Sequence, residues 1–565
     1  MKIRVVQIFF TVLFVLLIAY LYYLQIMKGQ LYRDLSFRNS IRLLNIAAPR
    51  GGIYDRNNRP IAGNSLSFGV FIVPQEARDK DAEMRDLASV LGVSKSFLER
   101  NYKRNYTAPF APCELFRGAS KEAVIKIEEM RPNMPGVMVR EMPSRDYLYK
   151  DAFSHAVGYV GEIDQAELEL LRPYGYGIKD MIGKDGIERF YDATLRGKNG
   201  GMQVQVDNMG RQVKILGSKK PQRGKDVYLS LDLRLQVAVW NLMRELKGAA
   251  IFMDPNNGEI LCLVSAPSYD PGASLASLLR DRDSPLLNRA VMGQYPAGSI
   301  FKIVVALAGL ETKKVSIETT FLCAGKLKVG NKEFNCWNRD GHGSVNLNSA
   351  ITQSCNVYFY SLGILVGADK IYEYAEQFGF GRKTGVDLFG EADGFVPSRQ
   401  WRHLEKKEKW YSGDTANLSI GQGELLVTPL QIARMVSVVA NNGYLVEPHL
   451  IRRKGAPGPG VRKAIKLKIK NENLEAVKNA MKEVVGNVDG TGIRARSALF
   501  SISAKTGTAQ AGPGLPSHAW IAGFAPSENP EISFVVFLER GGSGGDLPAE
   551  IARQALEYWW THEKI

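Results

Sequence analysis

The sequence predicts a mixed α/β protein, of the α+β kind, with a single N-terminal transmembrane helix. Residues 5–27 contain no charged side chain and consist mostly of Val, Ile, Leu, Phe and Tyr. Residues 45–220 alternate short strand and helix patterns that turn signals interrupt. From Lys247 onward, strand patterns at both ends enclose several helix patterns. That order favours one sheet with helices on its faces.

The uncharged N-terminal run is long enough to cross a bilayer, which takes ~20 apolar residues. Lys2 and Arg4 precede it. Aromatic residues that suit a membrane interface lie near its far end: Tyr20, Tyr22 and Tyr23. A cleaved signal peptide is the alternative, but the run is long and has no small-x-small cleavage site. We expect residues 1–28 to form a cytoplasmic tip and a single-pass anchor in the lipid bilayer. Basic residues follow the run as well, so this orientation rests on Lys2, Arg4 and the early position.

The region from 29 to 220 has no catalytic constellation. It mixes short strands such as Phe68–Val73 with helices rich in Glu and Lys such as Lys121–Met130. His155 is its only histidine, and a structural role is expected for it. We interpret the region as a pedestal or interaction module, joined by a linker and connecting helix (221–247) to a C-terminal domain (248–565).

Composition limits the function further. The chain of 565 residues is 45% apolar and 23% charged, which is typical of a globular protein. Its 73 Lys and Arg against 58 Asp and Glu give a net charge of +15, which suits anionic partners such as lipid headgroups or acidic wall polymers. No zinc-finger, RNA-recognition or helix-turn-helix pattern favours nucleic acid. Five cysteines are too few for a disulfide scaffold.

The C-terminal domain has clear strand signals at each end. Ala249–Met253 and Glu259–Val264 flank Asn256-Asn257-Gly258, a strong hairpin pattern. Several helices follow to about residue 442, and a Gly/Pro loop is expected at 454–459. The remaining predicted elements are two strands and an amphipathic helix: Phe500–Ala504, Ile532–Leu538 and Pro548–Trp560.

The segment Tyr295–Lys302 organises this domain. Ser299 is the only serine followed by lysine at the third position. Pro296 and Gly298 favour a turn, and the apolar run Ile300–Leu310 favours a buried helix with Ser299 at its N-terminus. Residues i and i+3 share a helix face, so we expect the amine of Lys302 beside the Ser299 hydroxyl. A buried lysine loses some of its charge and can activate a nucleophile. The alternative is a helix-capping serine with an unrelated lysine.

Two short patterns, S-x-N and K-T-G, complete a known catalytic trio with S-x-x-K. S-x-N begins at Ser344, Ser354 and Ser527, and only Ser354–Asn356 has apolar neighbours and a helix after it. K-T-G begins at Lys383, in a helix-to-loop exit, and at Lys505, where it ends a predicted strand. A substrate peptide could pair with such an edge strand. We therefore select Ser299, Ser354 and Lys505, with Thr506 and Gly507 leaving room beside the strand.

With this trio the chain resembles the penicillin-binding proteins, in particular the class B transpeptidases. The resemblance covers about 45–560. A proline usual in one pedestal motif is Leu148 here. The further matching motifs are Pro49–Asn57, Arg145–Tyr147 with His155 and Gly158–Gly161, Gly186–Gly197, Asp254-Pro255 with Gly258, Ser419–Gly423, Thr428–Gln431 and Trp520–Pro526. Trp410–Thr415 is similar to the elongation-type members.

The resemblance implies an elongated pedestal and a transpeptidase domain with a mainly antiparallel sheet. It also implies a reaction in which Ser299 attacks the penultimate D-alanine of a peptidoglycan stem peptide, and β-lactams acylate the same serine. Lys302 would accept the proton, Ser354 and Asn356 would relay protons and hold the amide, and Lys505 would hold the carboxylate with Thr506 or Thr508. Backbone N–H groups of Ser299 and Thr508 would form the oxyanion hole. Which of Lys302 and Ser354 is the base in each step stays open.

The implied setting is the inner membrane, with the catalytic domain in the periplasm. Implied partners are a RodA-type lipid-II glycosyltransferase and a coiled-coil activator of the MreC type. Two alternatives remain: a serine β-lactamase or D,D-carboxypeptidase, in which water deacylates the serine, and a β-lactam sensor or idle scaffold. The pedestal is superfluous for a lactamase, and no deacylation base can be assigned.

Four soft ligands lie in one stretch: Cys323, Cys336, His342 and Cys355. Three thiolates and an imidazole suit a tetrahedral zinc, although the spacing is not a compact knuckle. The alternative is a Cys323–Cys336 disulfide with Cys355 as a buried apolar residue. Some elongation-type relatives hold zinc at similar places with carboxylates where this chain has cysteines. We expect zinc here, and expect Cys113 and Cys262 to be buried apolar residues.

Overall fold

A computed structural model describes residues 2–206, 212–452 and 464–563. The Gly/Pro loop expected at 454–459 lies outside the described residues. The chain groups into two compact units, which we describe separately. The first comprises Met1–Gly51, Gly63–Asp146 and Thr194–Lys225, and the second comprises Gly52–Ala62, Tyr147–Ala193 and Asp226–Ile565. The domain boundaries predicted above stay a prediction.

The first unit begins with the predicted apolar helix. An α-helix, Lys2–Tyr22, continues as a π-helix, Tyr23–Met27. The stretch Ile3–Met27, 25 residues long, has the length and composition to cross a membrane, and none of it is buried in the protein. A further helix, Gly29–Ser40, follows it.

The rest of the first unit contains two sheets. Three antiparallel strands form one of them, in the order Ile41–Ile46, Gly200–Val206, Gln212–Lys219. The second contains Cys113–Ala119 and most of the strands Pro60–Ile72 and Val137–Tyr147, whose ends at residues 60–62 and 147 belong to the second unit. Helices Lys80–Leu91, Lys95–Asn105 and Lys121–Met130 supply apolar side chains to a core with these strands, including Leu87, Leu98, Leu115 and Ile127. The helix predicted at Lys121–Met130 is confirmed; the Ser120 side chain accepts a hydrogen bond from the Ala123 N–H at its start.

The second unit includes several short elements before its main sheet. Its two-residue strands Ile53–Tyr54 and Val227–Tyr228 are parallel, and Val160–Glu162 and Met181–Gly183 are antiparallel. The short helices are Ser154–Val157, Gln165–Leu171, Gly186–Phe190 and Asp192–Leu195. His155 is buried with its ring edge-on to Tyr269, as expected of a structural residue.

A five-stranded antiparallel sheet forms the centre of the second unit. Its order is Ile260–Ala266, Gly248–Met253, Ile532–Leu538, His518–Ala525, Ser503–Ala509. The hairpin across Asn256–Gly258 and the strand Ile532–Leu538 are confirmed. The strand predicted at Phe500–Ala504 was misplaced: it begins at Ser503 and includes the whole K-T-G sequence. Pairing with His518–Ala525 runs from Ser503 to Ala509, so the K-T-G residues lie inside the strand rather than at its end.

Helices pack on this sheet in two groups. Leu233–Met243 and Leu547–Glu563 contact each other and the sheet, and Pro429–Ala440 is buried along its whole length against three strands. The other helices are Leu275–Arg280, Lys302–Glu311, Leu347–Thr352, Asn356–Val366, Ala368–Gln377, Arg399–Trp401, Ser412–Ser419 and Asn471–Gly486. Three small antiparallel pairs complete the unit: Phe321–Cys323 with Gly343–Val345, Lys326–Val329 with Lys332–Asn335, and Tyr444–Leu445 with Ile465–Lys466.

Candidate active site

Ser299 lies in a 3₁₀ turn, Gly298–Phe301, directly before the helix Lys302–Glu311. Ser299 thus lies in the turn that leads into the predicted buried helix, close to its expected place at the helix N-terminus. The alternative, a helix-capping serine, is not formed, because neither element has a side-chain cap. Ala297, already in a helical conformation, precedes the turn. The Ser299 side chain is half-buried, and its hydroxyl makes no hydrogen bond within the described part of the chain. The hydroxyl is thus open to a ligand.

Close backbone approaches fix this turn. The Gly298 N–H donates to the Gly421 carbonyl at 2.9 Å, and a Cβ on Gly421 would lie 2.1 Å from the Gly298 oxygen. On the other side, a Cβ on Gly507 would lie 2.9 Å from Cγ1 of Ile300. Gly298 and Gly421 also have φ values of +56° and +70°, which glycine adopts without strain. Glycine therefore lets three distant segments meet beside Ser299.

Lys302 is fully buried and makes three hydrogen bonds, none of them to Ser299. Its Nζ donates to the Ser354 carbonyl at 2.8 Å, to Oδ1 of Asn356 at 2.7 Å and to Oγ of Ser354 at 3.3 Å. Burial lowers the pKa of Lys302 to about 7. The sequence predicted this amine beside the Ser299 hydroxyl; its hydrogen bonds go instead to oxygens of Ser354 and Asn356, which helical spacing could not reveal. A substantial neutral fraction near pH 7 makes this amine able to take a proton.

Ser354 connects the helices Leu347–Thr352 and Asn356–Val366 in a left-handed conformation, with φ of +55°. Such a conformation costs a residue with a side chain roughly 1–3 kcal/mol and needs support from its surroundings. The bond from Lys302 to its carbonyl provides part of that support. The structure brings this S-x-N copy to the two lysines and not the others, since Ser344 is exposed in Gly343–Val345 and Ser527 hydrogen-bonds to Ser503.

Lys505 is also fully buried, within the edge strand of the central sheet. Its Nζ donates to Oγ of Ser354 at 2.9 Å and to the Thr506 carbonyl at 3.1 Å. Burial and the charge of Lys302 hold the pKa of Lys505 well below its usual value. Lys383, in the other K-T-G copy, is exposed, and the following Thr384 binds Glu391 instead. Geometry thus favours the copy that the sequence argument selected.

Thr506 and Thr508 have different surroundings. The Thr506 hydroxyl lies 2.6 Å from the hydroxyl of Thr491, whereas Thr508 is exposed. The Thr491 N–H also donates to the Thr352 carbonyl at 3.3 Å, which ties the S-x-N segment to the strand. The sequence did not predict a role for Thr491. Thr352 lies 139 positions before it and Thr506 lies 15 positions after it, and no local pattern connects residues so far apart.

A second set of residues that the sequence did not reveal supports the turn from behind. Oε1 of Glu539 accepts from the Tyr295 hydroxyl at 2.7 Å and from Nε of Arg289 at 2.9 Å. Burial and this bond raise the pKa of Tyr295. Its ring packs 4.2 Å from that of Phe537, between ring centroids. Tyr295 is therefore held in place four residues before Ser299.

The four predicted soft ligands form a compact cluster: the ligand atoms of Cys323, Cys336, His342 and Cys355 lie within 4.8 Å of one another. Nδ1 of His342 is 3.5 Å from the sulfurs of both Cys323 and Cys336. All five cysteines lie in the described residues and are free thiols, so the alternative Cys323–Cys336 disulfide is not formed. Three sulfurs and one imidazole nitrogen converging on one point fit a tetrahedral zinc.

This arrangement can support acyl transfer. Oγ of Ser354 joins two buried amines, so a proton can pass among these three groups. Both lysines belong to elements that pack against the turn carrying Ser299. Among the described residues the strand Ser503–Ala509 pairs on one side only, which leaves an edge to which an extended peptide can add. A hydroxyl nucleophile, a neutral amine and a peptide-binding edge are the parts that peptide acyl transfer needs.

Comparisons with known proteins agree with these observations. A family model of the penicillin binding protein transpeptidase domain matches residues 248–557, and one of the penicillin-binding protein dimerisation domain matches residues 45–229. The chain is 35% identical to the peptidoglycan D,D-transpeptidase MrdA of Acinetobacter baumannii over 96% of this chain and 85% of that protein.

Two solved structures are similar over almost the whole chain. A penicillin-binding protein, PBP2, from a complex with MreC of Helicobacter pylori is 30% identical, with a TM-score of 0.80 over 93% of this chain and 99% of that one. A chain from a peptidoglycan synthase complex, which coordinates polymerization and crosslinking, is 27% identical, with a TM-score of 0.72 over 99% of this chain and 98% of that one.

The lowered pKa of Lys302 predicts the pH dependence of Ser299 acylation. The amine is neutral above its pKa of about 7, so the rate of acylation by benzylpenicillin should rise through pH 7 and level off above it. Stopped-flow or quenched-flow rates between pH 5.5 and 9 would check this. A flat profile across that range would contradict a role for the Lys302 amine as proton acceptor.

Replacing the lysine by alanine should have a large effect in one K-T-G copy and almost none in the other. Lys505→Ala removes a buried amine bonded to Ser354, so acylation by benzylpenicillin should fall by roughly 10²-fold or more. Lys383→Ala removes an exposed side chain and should leave the acylation rate within about twofold of the original. If Lys383→Ala proves the more damaging change in that rate, the wrong copy was selected.

Proposed function

Because this chain belongs to the penicillin-binding protein transpeptidases, we propose that Ser299 is the nucleophile of an elongation-type peptidoglycan D,D-transpeptidase. The observation that carries the residue assignment is the bonding of Lys302 and Lys505 to one hydroxyl, that of Ser354. Lys302 follows Ser299, the only serine of the S-x-x-K pattern, by three residues. The substrate is a stem peptide ending in D-alanyl-D-alanine.

In the first step Ser299 attacks the carbonyl of the penultimate D-alanine. Its proton passes to the amine of Lys302 or through Ser354, and then to the nitrogen of the terminal D-alanine as that residue leaves. Backbone N–H groups of Ser299 and Thr508 stabilise the tetrahedral oxyanion; losing one such donor typically costs about 10²–10³ in rate. Lys505, with Thr506 or Thr508, binds the terminal carboxylate.

In the second step an amine of a neighbouring stem peptide attacks the acyl-Ser299 ester and forms the cross-link. The donor peptide remains along the edge strand Ser503–Ala509 while this occurs. β-Lactams mimic the donor and acylate the same serine. Persistence of that adduct separates this function from a β-lactamase or carboxypeptidase, in which water releases the acyl group quickly.

The location and partners follow from the same proposal. A single-pass anchor holds the protein in the cytoplasmic membrane, and we place the catalytic domain on the periplasmic side. The relatives in complex with MreC and in a peptidoglycan synthase complex support an MreC-like activator and a RodA-type glycosyltransferase as partners. The basic net charge of +15 suits anionic wall polymers and lipid headgroups.

We also propose that Cys323, Cys336, Cys355 and Nδ1 of His342 bind one structural zinc. The donor set and its convergence within 4.8 Å support this proposal. The Cys355 thiol, together with three backbone N–H groups, lowers the pKa of Cys336 and favours its thiolate, and the same pairing raises the pKa of Cys355. Zinc there would supply structural cross-linking rather than chemistry. Because Cys355 lies between Ser354 and Asn356, the cross-link would hold two catalytic side chains in position.

Substitution of Ser299 tests the central assignment. Ser299→Ala should abolish covalent labelling by benzylpenicillin, while the melting temperature should change by no more than about 2 °C because one half-buried hydroxyl contributes little. Intact-mass spectrometry over several hours also follows release of the adduct. Ser344→Ala, at an exposed serine, is the control and should label normally. Labelling of the Ser299→Ala protein would overturn the proposed function.

The zinc proposal predicts about one zinc per chain by elemental analysis. Removal with a chelator should lower the melting temperature and slow acylation together, since structural zinc can contribute on the order of 10 kcal/mol in small domains and less in a large core. Cys323→Ser should lose the metal, and Cys113→Ser, a buried cysteine outside the cluster, should keep it. Freshly purified protein without zinc would contradict the proposal.

A further inference from the structure

Trp337 is an exposed aromatic side chain that is nevertheless held in one orientation. It is 59% exposed. Its indole N–H donates to the Gln353 carbonyl at 3.0 Å, and its ring packs edge-on against His342 with centroids 5.3 Å apart. A fixed aromatic surface loses little conformational entropy on binding, which makes it an effective contact for a ligand.

The place of Trp337 connects it to the catalytic segment. Gln353 directly precedes Ser354, whose hydroxyl both lysines reach. Two residues next to Trp337 in sequence accept hydrogen bonds from Asn356. The Asn356 backbone N–H donates to the sulfur of Cys336 at 3.4 Å, and the Asn356 side-chain amide donates to the Asn335 carbonyl at 3.5 Å. Trp337 is thus bonded to Gln353, the residue directly before Ser354, whose hydroxyl is proposed to relay protons.

The donor peptide and Trp337 use different elements of the site. In the proposed function the donor lies along the edge strand Ser503–Ala509, from which Lys505 reaches Ser354. The segment Asn335–Trp337 approaches the same serine from a different part of the chain, after the hairpin Lys326–Asn335. Trp337 is therefore available to the second substrate, the amine that accepts the acyl group.

We propose that the exposed ring of Trp337 binds the amine-ended aliphatic arm of the acceptor stem peptide; this inference rests on the proposed function. A tryptophan face attracts an ammonium group and the methylenes next to it. The bound ammonium gives one proton to solvent or to the Ser354 network before it attacks. Its nitrogen forms a C–N bond to the acyl carbon, the ester bond to Oγ of Ser299 breaks, and a second proton from the nitrogen returns to that oxygen.

Two substitutions distinguish the contribution of the aromatic ring from that of its hydrogen bond to Gln353. Trp337→Phe keeps an aromatic face but loses the N–H donor to Gln353, whereas Trp337→Gln keeps an N–H donor but loses the face. The full-length protein is given a D-alanyl thioester donor and Nα-acetyl-lysine as the acceptor. Mass spectrometry measures the ratio of amide product to hydrolysis product. Hydroxylamine, which is uncharged at pH 7.5, replaces the acceptor in a parallel reaction.

We expect Trp337→Gln to lower the amide-to-hydrolysis ratio roughly tenfold with Nα-acetyl-lysine but less than about twofold with hydroxylamine. Trp337→Phe should stay within about threefold of the original ratio. The rate of Ser299 acylation by benzylpenicillin and the zinc content should be unchanged in both variants. These two measurements distinguish a contact with the acceptor from damage to the neighbouring segment.

Three results would overturn this inference. They are an unchanged ratio in Trp337→Gln, equal losses in Trp337→Gln and Trp337→Phe, and a loss of acylation that accounts for the whole effect. In each case Ser299 would still form an acyl-enzyme, so the proposed function would stand. If the original protein forms no acyl-enzyme with either the thioester or penicillin, the proposed function fails, and this inference fails with it.

Discussion

Two fully buried lysines that share one hydroxyl impose the main constraint on this structure. Lys302 and Lys505 both donate to Oγ of Ser354, and in the described part of the chain their other bonds go to carbonyl and amide oxygens rather than to carboxylates. Burying one unpaired ammonium costs several kcal/mol, and a second like charge nearby adds to that cost. The pair therefore favours a state in which at least one amine is neutral. The same burial that is unfavourable for stability thus produces an amine that can accept a proton, the role proposed for Lys302.

That constraint depends on how closely the backbone segments approach one another. Gly421 and Gly507 stand where any Cβ would collide with the serine turn, at 2.1 Å and 2.9 Å respectively. Side chains at these positions would push apart the segments that enclose the lysines and would admit water. Water around either amine would restore its charge and remove its ability to accept a proton. The glycines are therefore needed for the protonation state of the site as well as for its shape.

Sequence reasoning identified what is encoded locally. The hairpin at Asn256–Gly258, the strand Ile532–Leu538 and the helix Lys121–Met130 depend on short-range patterns, and they were predicted correctly. The S-x-N copy was selected by its apolar neighbours, and the K-T-G copy by the predicted strand before it. Bonds between distant segments carry no such signal. The pairing of Thr491 with Thr506, the support of Tyr295 by Glu539 and the true partners of Lys302 became visible only when the chain was folded.

Four consecutive residues link the separate parts of this site. The Gln353 carbonyl accepts the indole N–H of Trp337, and the Ser354 hydroxyl accepts hydrogen bonds from Lys302 and Lys505. The sulfur of Cys355 belongs to the soft-ligand cluster, and the Asn356 side chain accepts a hydrogen bond from Lys302. The left-handed conformation of Ser354 turns the chain sharply, which lets neighbouring residues face different partners. A displacement of this segment would consequently disturb the proton acceptor, the proposed acceptor contact and the cluster at the same time. The proposed acylation and transfer steps would therefore be coupled through one short piece of backbone, and the proposed zinc cross-link at Cys355 would restrain the residues that serve both.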